Sequence, residues 1–482
     1  MNAYSYHIFM FPFQWQIKGY DDKVFSEQIS LKNIDFALNC NWNRIIEPVI
    51  DSEVNDLYNE RNYFYEFVHD ALYDNGNDNS LVRHFEREEP KHSDINYVID
   101  CGGKGVYELK VCAINLNLYF TGVGVLSFYL KNEKYSDPVS VFRINQGGRR
   151  VFPPYIGDVE SRNQIAHSIE IKGLHGRDTG YREDFKRFNN KTKSNTPASF
   201  ITDMINEVAL NITLKPVVDD RMFVQCYYKN EEWAEKFSGK SYQQFLNSSD
   251  WYEFVFIDEY GGMTCQNEKM QRDLIKKATY PRWQRSKSLY GISRYSMMLL
   301  TSDTCPQFLL DYFVTMYTRM AELILVQKSS VLRFSAEVTY ISNMEEKKGF
   351  VEKASSLYKE YIRFVNQIHF REVSAQEQGI ELYQMLYDVM NLEKHVNKLD
   401  DEISELYNYV SLKEDRKSNG TMERLTKLAT IAIPATVMAG VFGMNNSILN
   451  DGKHLLYNGY LQIFIVATVT ILFGLIINTR KK

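Results

Sequence analysis

The chain has 482 residues, 44% of them hydrophobic, with mean hydropathy -0.37 and a formal charge of -5 from 56 basic and 61 acidic side chains. That length exceeds one ordinary domain, and the near-balanced charge excludes a global drive toward nucleic acid. Six cysteines, Cys40, Cys101, Cys112, Cys226, Cys265 and Cys305, lack Cys-x-x-Cys spacing, which excludes a zinc module or a disulfide framework and fits reduced thiols in a cytosolic domain.

In chain order, the N-terminal stretch has no basic leader and its apolar run is interrupted by Pro12, so a strand is expected there rather than a signal peptide. Residues 4–15 and 106–130 are rich in β-branched and aromatic side chains, the second stretch turning at Thr121-Gly122. Strands are also expected at Arg221 to Tyr228, Trp251 to Asp258 and Tyr290 to Leu300, and helices near Asp51 to Leu72 and Pro197 to Ile212. Asp74 to Ser80 and Arg182 to Asn195 read as loops. Residues 1–305 are therefore expected to form a cytoplasmic mixed α and β domain, the α+β part of the fold.

From Pro306 the texture becomes helical, with Phe308, Leu309, Phe313, Met316, Met320, Leu323 and Leu332 at helical spacings. A polar break is expected at Asn343 to Gly349, and Gly379 is the next weak point. Leu382, Met385, Val389, Leu392, Val396, Leu399, Ile403, Leu406 and Val410 then recur at gaps of three and four, the seam of a coiled-coil-like stalk. One continuous helix from Ile380 to Met444 would measure ~100 Å. Residues 306–424 are thus assigned to a cytoplasmic helical and stalk region.

Two apolar runs, Leu428 to Met444 and Leu461 to Ile477, approach the length that crosses the ~30 Å hydrocarbon layer as a helix. They define a first transmembrane pore helix at 425–445, an extracytoplasmic loop at 446–460, a second transmembrane helix at 461–478 and a basic tail at 479–482. Arg416, Lys417, Arg424 and Lys427 precede the first run and Arg480, Lys481 and Lys482 follow the second, whereas the loop carries only Lys453. The positive-inside rule then puts both termini in the cytoplasm of a multi-pass inner (cytoplasmic) membrane protein.

Asn419, Met422, Leu425, Ala429, Pro434, Thr436, Ala439-Gly440 and the closing Gly443-Met444-Asn445 together resemble the CorA family of divalent-cation transporters. The resemblance implies a homo-oligomer, pentameric as in the family, that conducts Mg2+ or another divalent cation across a lipid membrane. It assigns pore and selectivity roles to Asn445, Gly443, Met444, Gly440, Thr436 and Asn419, with Asn445 meeting the metal. Met422, Leu425 and Ile433 become the gate. On a helix Asn419, Met422, Leu425 or Thr426, Ala429, Ile433, Thr436 and Gly440 lie roughly along one stripe. By periodicity alone a small and apolar stripe equally well packs helices; the family pattern favours a pore. Mg2+ holds its water tightly, so amide and hydroxyl oxygens around a hydrated ion suit it, and apolar rings close such a pore by dewetting. After the tripeptide, Asn446 to Gly452 departs from the Met-Pro-Glu-Leu run usual in the family and leaves Asp451 as the acidic group.

The roughly three hundred residues ahead of the helices exceed what typical CorA relatives carry, and they resemble the CorA-like membrane effectors associated with type III CRISPR systems. That branch implies a nucleotide messenger as regulator. Arg149, Arg150, Arg282, Arg285 and Arg294 are the residues expected to hold its phosphates, although a solvated or salt-bridged face explains the same arginines. No direct nucleic-acid binding is expected. His84 and His175 are read as surface residues. No His-Glu-x-x-His or Gly-x-Ser-x-Gly motif occurs, and an enzyme is not expected. The competing reading is a membrane-anchored signalling or enzymatic module whose two spans only anchor it.

Overall fold

The computed structural model describes residues 3–37, 41–46, 60–151, 166–174, 181–185, 197–217, 221–238, 244–258, 260–344, 349–444, 463 and 467. The chain divides into two compact units, Met1–Ser404 and Glu405–Lys482. The helices that follow Pro306 as far as Ser404 therefore share a unit with the strands.

The first unit is built on a sheet of 13 described strands. They are β1 (Ser5–Ile17), β2 (Trp42–Arg44), β3 (Val82–Arg87), β4 (Asn96–Asp100), β5 (Val106–Tyr119), β6 (Val123–Asn132), β7 (Ser168–Lys172), β8 (Tyr181–Asp184), β9 (Ile212–Pro216), β10 (Phe223–Lys229), β11 (Thr279–Tyr280), β12 (Leu289–Ser293) and β13 (Ser296–Thr301). The main path runs β11-β12-β13-β10-β1-β6-β5-β4-β7-β8, and β10 with β13 is a parallel pair in an otherwise antiparallel sheet. β1 is the spine. Covered on both faces, it reads as a nearly continuous apolar run rather than an alternation.

Pro12 sits in the middle of this spine without breaking it. On one side β1 pairs with β6 from Ser5 to Gln14; on the other, β10 covers Ser5 to Met10 and β9 covers Phe13 to Ile17. The proline, which lacks an N–H, falls where the neighbour changes. At the β5–β6 turn Gly122 has φ +72°, and a Cβ there would meet Arg333 and Ile29 at 2.5 to 2.7 Å. Arg333 Nη1 donates to the carbonyls of Trp15 and Gly122, each at 2.6 Å, so one buried guanidinium ties a helix to β1 and to the β5–β6 turn.

The labelled helices are α1 (Pro138–Gly148), α2 (Ser199–Val208), α3 (Glu231–Ser238), α4 (Ser249–Phe256), α5 (Glu268–Ala278), α6 (Phe308–Val314), α7 (Met316–Ser342), α8 (Phe350–Gln367), α9 (Glu377–Val389) and α10 (Leu392–Met444). α7 lies against β1 and β6, with Glu322 accepting from Asn117 Nδ2 at 2.5 Å and Tyr119 Oη at 2.9 Å of β5. Burial raises the Glu322 carboxyl above its usual range.

Several expectations are corrected. Trp251 to Phe256 is helix α4, not a strand: Ser248 caps it by accepting from Trp251 N at 3.2 Å, and a short run buried all round suits either element until a cap decides. The described part of Asp51 to Leu72 consists of one-turn helical segments, and Arg182 to Asp184 lie in β8 rather than a loop. His84 is buried at 4% exposure, since it faces α7 from β3. Gly379 lies inside α9, and the helical run breaks instead between Gln367 and Glu377. No single rod starts at Ile380: α9 stops at Val389, Asn391 takes φ +52°, and a new 53-residue helix begins at Leu392.

The stalk seam also changes meaning. Leu382, Leu392, Val396, Leu399, Ile403 and Val410 are buried within the single chain, while Met385, Val389 and Leu406 are partly covered. Asp400 of α10 faces Tyr361 of α8, and Lys328 of α7 reaches Met390. The heptad spacing therefore packs α10 onto its own helical layer through Ile403.

Candidate functional site

Beyond Val410 the same helix α10 turns to exposed side chains. Asn419, Met422, Leu425, Thr426, Ala429, Ile433 and Thr436 are all exposed, among them Met422 at 66%, Leu425 at 58% and Ile433 at 60%. Their spacing keeps them along one stripe. Leu428 beside them is 64% exposed. Large apolar groups left bare at this density mark a surface that lipid or another copy of the chain would cover.

The threonines have a specific polarity. Thr426 Oγ1 donates to Met422 O at 2.7 Å, and Thr436 Oγ1 donates to Ala432 O at 2.8 Å. Each hydroxyl has spent its proton on its own helix and presents lone pairs outward. A hydrated cation points its water hydrogens outward, so acceptors are the complementary lining. Lys427 Nζ pairs with Glu423 at 2.5 Å one turn apart, which places balanced charge rather than a cationic ring next to Thr426.

Gly440, Gly443 and Met444 belong to the helical backbone of α10, and Asn445 lies outside the described residues. The second expected span, the loop with Asp451 and the basic tail also lie outside them, apart from Ile463 and Ala467. Among the described residues no helix is long and apolar enough to cross a membrane.

The five arginines do not converge. Arg149, at the end of α1, is buried, donates through Nη2 to Ile257 O at 3.3 Å and lies 5.9 Å from the Tyr295 ring. Arg150 bridges by backbone to Arg221, whose guanidinium lies 5.4 Å from the same ring. Arg282 is held by both oxygens of Glu381 at 2.7 and 2.8 Å and by Glu377 at 2.5 Å, clamping the first turn of α9 to the sheet edge. Those hydrogen bonds, Glu381 first, raise its pKa further. Arg285 is exposed on the 3-10 turn Gln284–Ser286. Arg294, in the β12–β13 turn, donates through Nε to Val389 O at 3.3 Å, at the opposite end of α9 from Arg282.

Sequence reasoning missed the groups around Arg294. Lys328 of α7 donates to Met390 O at 3.3 Å, the carbonyl next to the one Arg294 holds. Burial, then Arg294, pushes Lys328 down to about 8. His395, in the first turns of α10, is lowered by burial and then by Lys328, Arg294, Lys394 and Lys398. Nothing in the spacing of Arg294, Lys328 and His395 announces that a turn and two helices meet there.

One further arrangement has the order of a nucleophile, base and orienting group. Ser5 Oγ lies 2.8 Å from His7 Nε2, and His7 Nδ1 lies 2.7 Å from Asn145 Oδ1. All three are buried, and Asn132 Nδ2 also donates to Ser5 Oγ at 2.8 Å. A substrate has no access to that hydroxyl, and the chain serves as a core polar link between β1, β6 and α1.

The described site is thus a long helix, α10, whose stretch beyond Val410 carries an uncovered stripe of polar and apolar side chains. Residues 282–481 match the family model described as CorA-like Mg2+ transporter protein. Members transport divalent cations such as Mg2+, are membrane-localised and typically form homo-oligomers. The match begins at Arg282, so it takes in the β12–β13 hairpin as well as α6 to α10. No curated protein matches the chain.

Proposed function

We propose that the protein is a homopentameric channel for hydrated Mg2+ or a similar divalent cation, both of its termini on the cytoplasmic side of the inner membrane. The exposed stripe from Asn419 to Thr436, on a helix inside the family-matched region, carries this reading. Five copies would close it into a lining in which Asn419, Thr436, Gly440 and the Gly443-Met444-Asn445 mouth meet the ion's water shell. Met422, Leu425 and Ile433 would form the dewetting gate between the polar rings. A full carboxylate ring would trap the ion; amide oxygens of Asn445 hold its water less deeply. The 281 residues ahead of the matched region support a regulated channel, answering a nucleotide messenger as in the type III CRISPR membrane effectors. Of the five arginines, Arg282 is occupied by carboxylates, Arg149 is buried, and Arg150 and Arg285 have other partners, so Arg294 is the one retained for phosphate.

The test is Mg2+ flux in proteoliposomes together with the mass of the detergent-solubilised protein. Asn445→Ala should cut flux about tenfold, equivalent to ~1.4 kcal/mol at the barrier, with the pentamer intact. A purely monomeric species, or unchanged flux in Asn445→Ala, would overturn the proposal.

A further inference from the structure

At the α9–α10 junction, two cationic groups and an imidazole come from three separate elements: Arg294 from the β12–β13 turn, Lys328 from α7 and His395 from α10. Val389 O and Met390 O are consecutive carbonyls, so the side chains that hold them, Arg294 and Lys328, are brought side by side. Lys394 and Lys398 add charge near His395. Among the described residues, no carboxylate lies within 4.0 Å of Arg294, Lys328, His395 or Lys394; Lys398 alone has one, Glu402 at 3.3 Å. The acids of this neighbourhood are engaged elsewhere. Glu393 pairs with Arg371 at 3.1 Å, Asp388 accepts from Gln384 at 2.8 Å, and Asp400 faces Tyr361.

The two helix-end carbonyls account for one donor each on Arg294 and Lys328. Cations do favour a helix C-terminus, so this much is ordinary capping. It does not account for the His395 imidazole and the remaining guanidinium and ammonium donors at the start of α10, where the helix dipole is positive and basic groups are disfavoured. Burial first, and then the neighbouring basic groups, lower both Lys328 and His395.

We infer that the α9–α10 junction is an anion site, at which Arg294, Lys328 and His395 hold a soluble phosphate-bearing ligand. This rests on the regulated-channel reading and gives its regulator a location. Arg294 can meet phosphate through its two free Nη atoms, and Lys328 as a point charge. The ligand would join the sheet turn, α7 and α10 around Asn391, the left-handed residue at which the long helix begins. A ligand that favours one setting of this junction shifts the helix that carries the pore stripe.

Inorganic pyrophosphate is the probe, titrated by calorimetry into the full-length protein in detergent at pH 7 and low salt. Arg294→Gln and Lys328→Met should each weaken binding about tenfold, and Lys328→Arg should restore most of it. Lys236→Gln, an exposed lysine paired with Asp250 far along the chain, should leave binding unchanged. Arg294 is exposed, so its variant stays informative if Lys328→Met fails to fold. No pyrophosphate binding by the wild type, or equal binding by Arg294→Gln and wild type, overturns the site. Mg2+ flux measured with and without pyrophosphate reports on the channel separately: flux without binding removes only the anion site, and binding with no flux in either condition removes the channel.

Discussion

Helix α10 has the same kind of side chain in two stretches and treats them oppositely. Leu392, Val396, Leu399 and Ile403 are at most 6% exposed, whereas Leu412, Met422, Leu425, Leu428 and Ile433 are 58% exposed or more. The difference is not one of composition. In the first stretch the chain supplies its own cover, from α7 and α8; in the second, the described residues supply none. Apolar spacing therefore says that a helix face wants a partner, and it does not say whether the partner is the same chain, another copy or lipid.

Mutation of the covered stretch should have the largest effect. Leu399→Asp buries an unpaired charge and should cost about 4 kcal/mol or more, seen as a collapse of the thermal unfolding midpoint in detergent. Wild-type stability in that variant would mean the first stretch is not covered as described.

Acid should act on the covered part as well. Burial pushes His7 down to about 4, below its ordinary 6.5, so it stays neutral in the fold. Between those values the unfolded chain binds a proton that the native chain does not, and stability falls as pH drops from 6.5 toward 4. The loss is ~3 kcal/mol for His7 alone, with nothing further from it below about pH 4. Buried His84, lowered to about 3, acts in the same direction. Denaturant midpoints from pH 7 to 4 should fall accordingly, and His7→Gln should flatten the slope.

The uncovered stretch should respond in function and not in folding. Leu425→Asn wets a proposed constriction and should raise resting Mg2+ flux about tenfold, the equivalent of ~1.4 kcal/mol, while the unfolding midpoint stays within experimental scatter. A large loss of stability would assign Leu425 to packing and leave the gate elsewhere.

Much of the framework was legible because local chemistry carried it. The β5–β6 hairpin followed from its strand residues and the Thr121-Gly122 turn, and the break before Phe350 followed from Asn343 to Gly349. Trp251 to Phe256 misled because a short aromatic-rich run, buried from Trp251 to Val255, has no diagnostic period. The arginines misled for another reason: whether Arg282 meets a ligand or Glu381 depends on a helix about a hundred residues away.

The sequence alone determined much of the strand and helix content, the apolar C-terminal runs and the Asn419 to Asn445 pattern that resembles the CorA family, since each is written in neighbouring residues at fixed spacing. Only the tertiary structure decided that the heptad face of α10 is covered within the chain, that Pro12 falls where β10 gives way to β9, and that Arg294, Lys328 and His395 meet at one junction. Those outcomes depend on which distant segments share a surface, and burial and charge balance are properties of that shared surface rather than of any stretch of chain.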